Sequence, residues 1–387
     1  VKIGIIGLGA RIAALIPEFA KADPKASFVA VADPGRDRAA VFDGTGSAPE
    51  WFEDAETMMA QGRFDLLLIG SPNFLHLEHL RLALASDTPH IFVEKPVVIS
   101  EEETLELARL MAAHDGVNRL IVGLVLRYSP LFRALRAAQK DGHIGEIMSM
   151  EAAEHIGPYH GSFFMRDWRR DSALSGGFML EKCCHDLDLY QAVAGSRPAQ
   201  VASFGGRKKF LPANRPDRAP AYLDRMSPRW GGTDDAFSGQ GDLVDYQTAI
   251  IRYENDATLS FHTNLNVPDE YRRFMVAGRD GMAEGDFIRN TFRVTLSDTG
   301  EQITRDDRVT DAPTSNEGHY GADRAMAQDI MAHVNGAKDR LALSCVEALE
   351  AGLTAMAIDR AMKTRSTVDL ADIWAAFDAA LAGKEAA

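Results

Sequence analysis

Cysteine is scarce in this chain: three in 387 residues, none with CxxC spacing. That excludes a disulfide scaffold and fits a reducing compartment, so a cytoplasmic location is expected. Long apolar runs are missing as well; none approaches the ~20 residues that cross a bilayer, so no membrane partner is expected. The opening Val1-Lys2-Ile3-Gly4-Ile5-Ile6 reads as a buried strand instead of a signal peptide. Positive charge is in deficit, with 42 basic against 56 acidic residues and a net charge of −14. No nucleic-acid partner is expected, since one would want a basic face, although Arg166–Arg170 forms a local basic patch. Internal repeats and low-complexity tracts are also absent.

What is present is ordinary globular material, 46% hydrophobic and 25% charged, long enough for two cores. The first third alternates strands and helices. Strands are expected at Lys2–Ile6, Ser27–Ala32, Leu66–Ile69, His90–Val93 and Leu120–Gly123. Helices fall between them: Ile12–Ala22, kinked at Pro17; Leu75–Ser86; and one opened by the capping box Ser100/Glu103 and ending at Ala113. Repeated βα units imply a Rossmann-type, doubly wound parallel sheet. Beyond about residue 145 alternating segments dominate, at Ile147–Ala153, Val201–Gly205, Gln247–Tyr253, Thr258–Thr263, Arg273–Val276 and Phe292–Leu296. They imply an α+β domain built on an antiparallel sheet, which the family resemblance given below makes a large, open, mostly antiparallel one. The change of pattern divides the chain into an expected Rossmann dinucleotide-binding domain at 1–124 and an α+β domain at 125–387, to which the same resemblance assigns substrate binding and oligomerisation. Two closing helices, Ala322–Val334 and one capped at Ser344/Glu347, could pack back on the first domain. The aperiodic stretch Arg207–Gly241 reads as a lid or an oligomer arm.

The most informative residue is Lys95, delivered by the strand Ile91-Phe92-Val93 in the string Glu94-Lys95-Pro96. That position is the carboxyl edge of the sheet, where ligands bind in open α/β folds. Pro96 removes a donor and favours a cis bond that would aim the lysine. The alternative is a surface lysine in a strand-to-helix turn. Gly7-Leu8-Gly9 follows the first strand and precedes a helix, the context in which pyrophosphate sits on a helix N-terminus; Ala10, Arg11 and Ile12 complete that loop. Ile12 stands where the GxGxxG fingerprint has its third glycine. Asp33 ends the second strand and suits both adenosine ribose hydroxyls, favouring NAD. Arg36 and Arg38 could instead receive a 2′-phosphate, so NADP stays open. Ser71-Pro72-Asn73 follows the third apolar strand, and Asn73 and His76 either touch the cofactor ribose or cap the next helix.

A second constellation runs from Gly176-Gly177 through Glu181, Cys183-Cys184-His185-Asp186 and Asp188 to Gly195. At about 100° per residue, Glu181, His185 and Asp188 share one helix face, with Cys183, Leu187, Tyr190 and Ala194 opposite. Imidazole between carboxylates suits proton transfer near neutral pH. The competing explanation is a solvated polar face. A metal site at Cys183, Cys184 and His185 is disfavoured, because adjacent side chains diverge and no second ligand pair completes a tetrahedron.

These segments, together with Gly123 to Pro130, Gly142-His143-Ile144-Gly145 and His319-Tyr320-Gly321-Ala322-Asp323, resemble the glucose–fructose oxidoreductase/inositol dehydrogenase (Gfo/Idh/MocA) family over nearly the whole chain. The resemblance implies a Rossmann domain, an open-sheet domain that mediates a homodimer or homotetramer, and hydride transfer between NAD(P) and a sugar, sugar derivative or cyclitol. It implies that Lys95 holds the reacting oxygen and that His185 is the general acid/base. Many members carry aspartate where this chain has Glu181. Glu94 and Arg127 join the implied cofactor contacts. Tyr128, His155, Tyr159, His160 and Arg166 join Lys95, Glu181 and His185 as substrate contacts, and Trp168 and Arg169 face substrate or cofactor. Two other readings remain: a glycosidase that uses NAD transiently, and a non-catalytic nucleotide-binding regulator.

Overall fold

The computed structural model describes residues 1–218, 235–306, 309 and 319–384. They form two compact units, one of Val1–Tyr128, Gly321–Leu353 and Asp372–Ala387, the other of Ser129–Tyr320 and Thr354–Ala371.

The first unit is built on six parallel strands: β1 (Lys2–Ile6), β2 (Ser27–Ala32), β3 (Glu50–Phe52), β4 (Leu66–Ile69), β5 (His90–Val93) and β6 (Leu120–Val122). Their order is β3-β2-β1-β4-β5-β6. Leu66, Leu67, Leu68 and Ile69 have no exposed surface, as expected of a strand covered on both faces. β3 escaped the sequence reading because three residues are too few to show a period. The helix after β1 spans Ala10–Ala22 and is continuous through Pro17. Its stripe Ile12, Leu15, Ile16 and Phe19 shares a core with Met326, Ala327 and Ile330 of the Ala322–Val334 helix. Each of these side chains except Ala327 contributes roughly 1.5–3 kcal/mol on burial. The Glu101–Ala113 helix is capped as its sequence predicts: the Ser100 hydroxyl accepts from Glu103 N at 3.1 Å, and the Glu103 carboxylate accepts from Ile99 N. A reciprocal Ser344/Glu347 box opens the Cys345–Thr364 helix.

The second unit carries nine strands: β7 (Ile147–His155), β8 (Pro198–Gly206), β9 (Tyr246–Tyr253), β10 (Thr258–Asn264), β11 (Tyr271–Gly278), β12 (Gly281–Asp286), β13 (Thr291–Leu296), β14 (Gln302–Asp306) and β15 (Val368–Asp369). They form one sheet in the order β14-β13-β12-β11-β7-β10-β9-β8-β15. Every pairing is antiparallel except β10 with β7, which is parallel. On β9 the pattern is strict: Gln247, Ala249, Ile251 and Tyr253 are buried while Ile250 and Arg252 are exposed. One face therefore packs and the other stays open. The middle of the Arg207–Gly241 excursion, residues 219–234, lies outside the described residues. Its first flank is tied to the sheet by Asp245, whose carboxylate accepts from the backbone N of Lys208, Lys209 and Phe210.

Candidate active site

In the first unit the site elements gather at the carboxyl edge of the parallel sheet. β1 lies between β2 and β4, so strand order reverses beside it, which is the ligand-binding position in open α/β sheets. Gly7 has φ of +80°, and a Cβ there would lie 2.4 Å from Ser71 N, so only glycine fits. Gly9 caps the following helix without a side-chain bond, and that helix has no acidic residue in its first turn. The first N–H groups of a helix have no intrahelical acceptor, and an uncapped N-terminus such as this one suits a pyrophosphate. Ile12 fills the space over Gly70, where a Cβ would come within 2.1 Å of Ile12 Cγ1. Asp33 accepts from Leu8 N at 2.7 Å and from Gly35 N at 2.8 Å. It braces the glycine loop and still has lone pairs for a ribose diol. Arg38 is exposed beside it. These features fit a dinucleotide.

Lys95 leaves β5 half-buried, and the Lys95–Pro96 peptide bond is cis. Glu94 is buried and accepts from Lys95 N at 3.2 Å. Gly123 leaves room for that carboxylate, since a Cβ there would lie 3.0 Å from it. Burial pushes the Glu94 carboxyl up, against the pull of Arg11. His76 is buried, with Nδ1 2.8 Å from Pro96 O and Nε2 2.9 Å from Ser71 O. It ties together the turns after β4 and β5. Desolvation lowers its pKa to about 4 despite those carbonyls. The Ser71 hydroxyl meets His79 Nδ1 at 2.8 Å, Asn73 is buried and Pro72 is half-buried.

Three residues placed by sequence among the ligand contacts also make contacts within the protein. Arg11 donates to both oxygens of Asp323, at 2.8 and 2.6 Å, and to Glu94 at 3.1 Å. Its guanidinium bridges two buried carboxylates and so ties the glycine-loop helix to Glu94. Arg127 pairs with Glu347 at 3.3 Å. The Tyr128 ring belongs to the first unit's core, and its hydroxyl bonds Asp329. Sequence spacing missed the Arg11–Asp323 contact because the partners are 312 residues apart.

In the second unit the expected single helix is two pieces, Phe178–Glu181 and Cys184–Ala194, joined at Lys182-Cys183. Leu187 N bonds Cys183 O, whereas the last bond of the first piece is Cys183 N to Met179 O. The regular face shared by Glu181, His185 and Asp188 is therefore interrupted after Glu181. The polar side is not solvated: Glu181, His185, Asp186 and Asp188 are all buried. The join is held by a charge network that sequence reading did not foresee. Arg272 on β11 donates to Asp186 at 2.9 and 2.6 Å and pairs with Glu154 on β7 at 2.9 Å; Glu154 also meets Lys182 at 2.8 Å. Burial pushes the Glu154 carboxyl up, but Arg272 and Lys182 outweigh it and hold it below its ordinary value. Tyr320 hydrogen-bonds Arg272. The His319 ring lies 6.1 Å from that of His185.

The remaining candidates lie in the same unit. His155 ends β7 with its ring 4.5 Å from Tyr271, and burial lowers its pKa to about 4. Tyr159 donates to Glu270 at 2.7 Å, and the His160 ring stacks on Phe164. Arg169 lies over Phe163 and Trp168, 4.2 and 4.4 Å from their ring centroids, and faces Glu181 at 3.7 Å. Arg166 is buried at the start of that turn.

A parallel-sheet unit with a glycine loop at its switch point, followed by an open-sheet unit, has the architecture of a dinucleotide-dependent oxidoreductase. Residues 1–124 match the family model for an oxidoreductase NAD-binding Rossmann fold, and residues 137–370 match its C-terminal alpha/beta domain. The chain thus belongs to the Gfo/Idh/MocA oxidoreductase family, and its first domain is NAD-binding. Myo-inositol 2-dehydrogenase of Thermotoga maritima is 23% identical over 307 residues, 79% of this chain and 80% of that protein. Further curated relatives match over about half of their length. Among solved structures, levoglucosan dehydrogenase with NADH and L-sorbose superposes with a TM-score of 0.76 at 18% identity, covering 97% of this chain and 100% of that one. Scyllo-inositol dehydrogenase of Lactobacillus casei with NAD(H) and scyllo-inositol gives 0.72 at 20% identity, covering 96% and 99%. Among the described residues no helix is long and apolar enough to cross a membrane.

Proposed function

We propose that the protein is an NAD-dependent dehydrogenase or reductase acting on a secondary alcohol or ketone of a sugar, sugar derivative or cyclitol. The observation that carries this is Lys95, leaving β5 at the strand edge that also bears the glycine loop. The relatives named for inositol and levoglucosan support the substrate class. NAD supplies the hydride acceptor when bound. In the oxidising direction the Lys95 ammonium donates to the reacting oxygen and stabilises its developing negative charge. His185 takes the carbinol proton, and in reduction it returns it. Glu181, one methylene longer than aspartate, keeps a negative charge four residues before the histidine. His155, Tyr159 and His160 offer polar ring edges to substrate hydroxyls. The exposed Phe204 and Ile250 share the open face of the sheet and support assembly of a homodimer or homotetramer through it.

The test is steady-state turnover on a sugar and cyclitol panel, with NADH formation followed by absorbance. Lys95→Ala and His185→Ala are each expected to lower kcat by ~10²–10⁴-fold, the usual worth of general acid–base help, with NADH still binding. Undiminished turnover in either variant would remove that residue from the mechanism.

A further inference from the structure

Several guanidinium groups that reach into this fold are well supplied with acceptors, and even Arg207, whose Nη2 is buried without one, donates through Nε and Nη1 to the carbonyls of Leu243 and Gln240. Arg272 has Asp186 and Glu154, Arg11 has Asp323 and Glu94, and Arg119 donates to the carbonyls of Ala83, Leu84, Ser86, Thr88 and His114. One turn of the second unit breaks this pattern twice. Arg166 is 9% exposed, and its buried Nε has no hydrogen-bond acceptor. Arg169, three residues on, has a buried Nε without an acceptor as well; Glu181 at 3.7 Å forms an ion pair beyond hydrogen-bond reach. The Arg169 guanidinium lies over the Phe163 and Trp168 rings, contacts that hold it in place but supply no hydrogen-bond acceptor to its Nε. A buried charged donor left without an acceptor is strongly unfavourable, and two in one turn call for an anion.

We infer that the substrate carries a carboxylate, received by Arg166 and Arg169, so that it is a sugar acid such as a uronate or aldonate instead of a neutral sugar. The inference rests on the dehydrogenase reading above. Carboxylate is favoured over phosphate by charge and shape. The two guanidinium groups face the charges of Glu181 and, more weakly because it is exposed to water, Asp167, so the positive surplus is small and suits a monoanion better than a dianion. The planar guanidinium fork matches a planar carboxylate in two parallel hydrogen bonds. The same donors could serve a cofactor phosphate, and the experiment separates the two sources.

NAD⁺-loaded protein is assayed on matched pairs, D-glucose with D-glucuronate and D-galactose with D-galacturonate, and binding of each is measured by calorimetry. Wild type should favour an acid over its neutral partner by on the order of 10- to 100-fold in kcat/KM, the worth of a charge-assisted hydrogen bond. In Arg166→Met that ratio should collapse towards one with the NADH dissociation constant unchanged, and Arg166→Lys should recover only part of it. Because the variant removes an unsatisfied buried charge, its ligand-free Tm should equal or exceed that of wild type. Equal use of acids and neutral sugars overturns the inference while leaving the dehydrogenase reading intact. A preserved ratio with weakened NADH binding assigns the guanidinium to the cofactor and also overturns it. A Tm several degrees below wild type makes Arg166 structural, with the same consequence. If an acid binds wild type but not Arg166→Met, and nothing on the panel is turned over, the carboxylate site stands and the dehydrogenase reading falls. If no acid binds, the inference fails.

Discussion

Replacing Arg272 with methionine should be among the most damaging single changes available in the second unit. The guanidinium is 1% exposed, engages both oxygens of Asp186 and reaches Glu154 at 2.9 Å. Methionine fills much of the volume but leaves two buried carboxylates facing only Lys182. Removing one partner of a buried ion pair costs about 3–5 kcal/mol, because the remaining charge stays behind without compensation. For a unit of this size that corresponds to roughly 6–20 °C in Tm. The sign of the pH dependence tests the cause. An orphaned Asp186 has a folded-state pKa above its unfolded value, so the folded state binds the proton first and stability returns as pH falls through that value. The variant's deficit should therefore be widest near pH 8 and narrow towards pH 5. The double variant Arg272→Met/Asp186→Leu should recover much of the loss, since Glu154 keeps Lys182. Circular dichroism melts and urea titrations at both pH values provide the measurement. A loss under 1 kcal/mol, or a double variant worse than the single, would refute the electrostatic account and leave packing as the reason.

Gly7→Ala places a Cβ 2.4 Å from Ser71 N and 2.5 Å from its Cα, with no flexible side chain to yield. NADH affinity by fluorescence titration should fall at least tenfold; an unchanged affinity would show that the loop has another conformation open to it. Arg11→Met should lower Tm by several degrees through the stranded Asp323 and Glu94; unchanged stability with weaker NADH binding would return Arg11 to the cofactor contacts. His76 has a pKa of about 4 against an ordinary 6.5, so the unfolded chain takes up the proton first on acidification. Its contribution is complete above pH 6.5 and is lost as pH falls towards 4, by up to about 3 kcal/mol. His76→Gln should flatten the fall of stability over that window, and parallel slopes for the two proteins would contradict the assignment.

The first unit was legible because its signals are local: a four-residue apolar strand, a serine box three residues wide, a glycine pair between strand and helix. The Ala322–Val334 helix has the bounds its pattern predicts. The interrupted helix at Lys182-Cys183 was not legible, since 100° spacing continues across the break and periodicity cannot register a missing hydrogen bond. Nor could strand alternation expose Arg272: an inward arginine looks like an error of phase until Asp186 and Glu154 are seen beside it. Arg11 shows the same limit from the other side. Its place in a nucleotide loop suggested a ligand contact, and the acid it also bonds, Asp323, belongs to a helix near the end of the chain.

The isoleucine that breaks the glycine fingerprint carries a consequence for recognising such chains. In this fold the close packing of helix on strand is not lost but traded: bulk sits on the helix at Ile12 and the empty position moves to the strand end at Gly70. Steric allowance is a property of that pair and not of either residue. A relative with a small residue at position 12 loses the 2.1 Å conflict and leaves the Gly7 carbonyl oxygen, 3.1 Å from a Cβ at position 70, as the remaining limit, whereas one with a branched residue at 12 is held to glycine at 70. Scored jointly, the two positions recover nucleotide loops that a three-glycine pattern passes over.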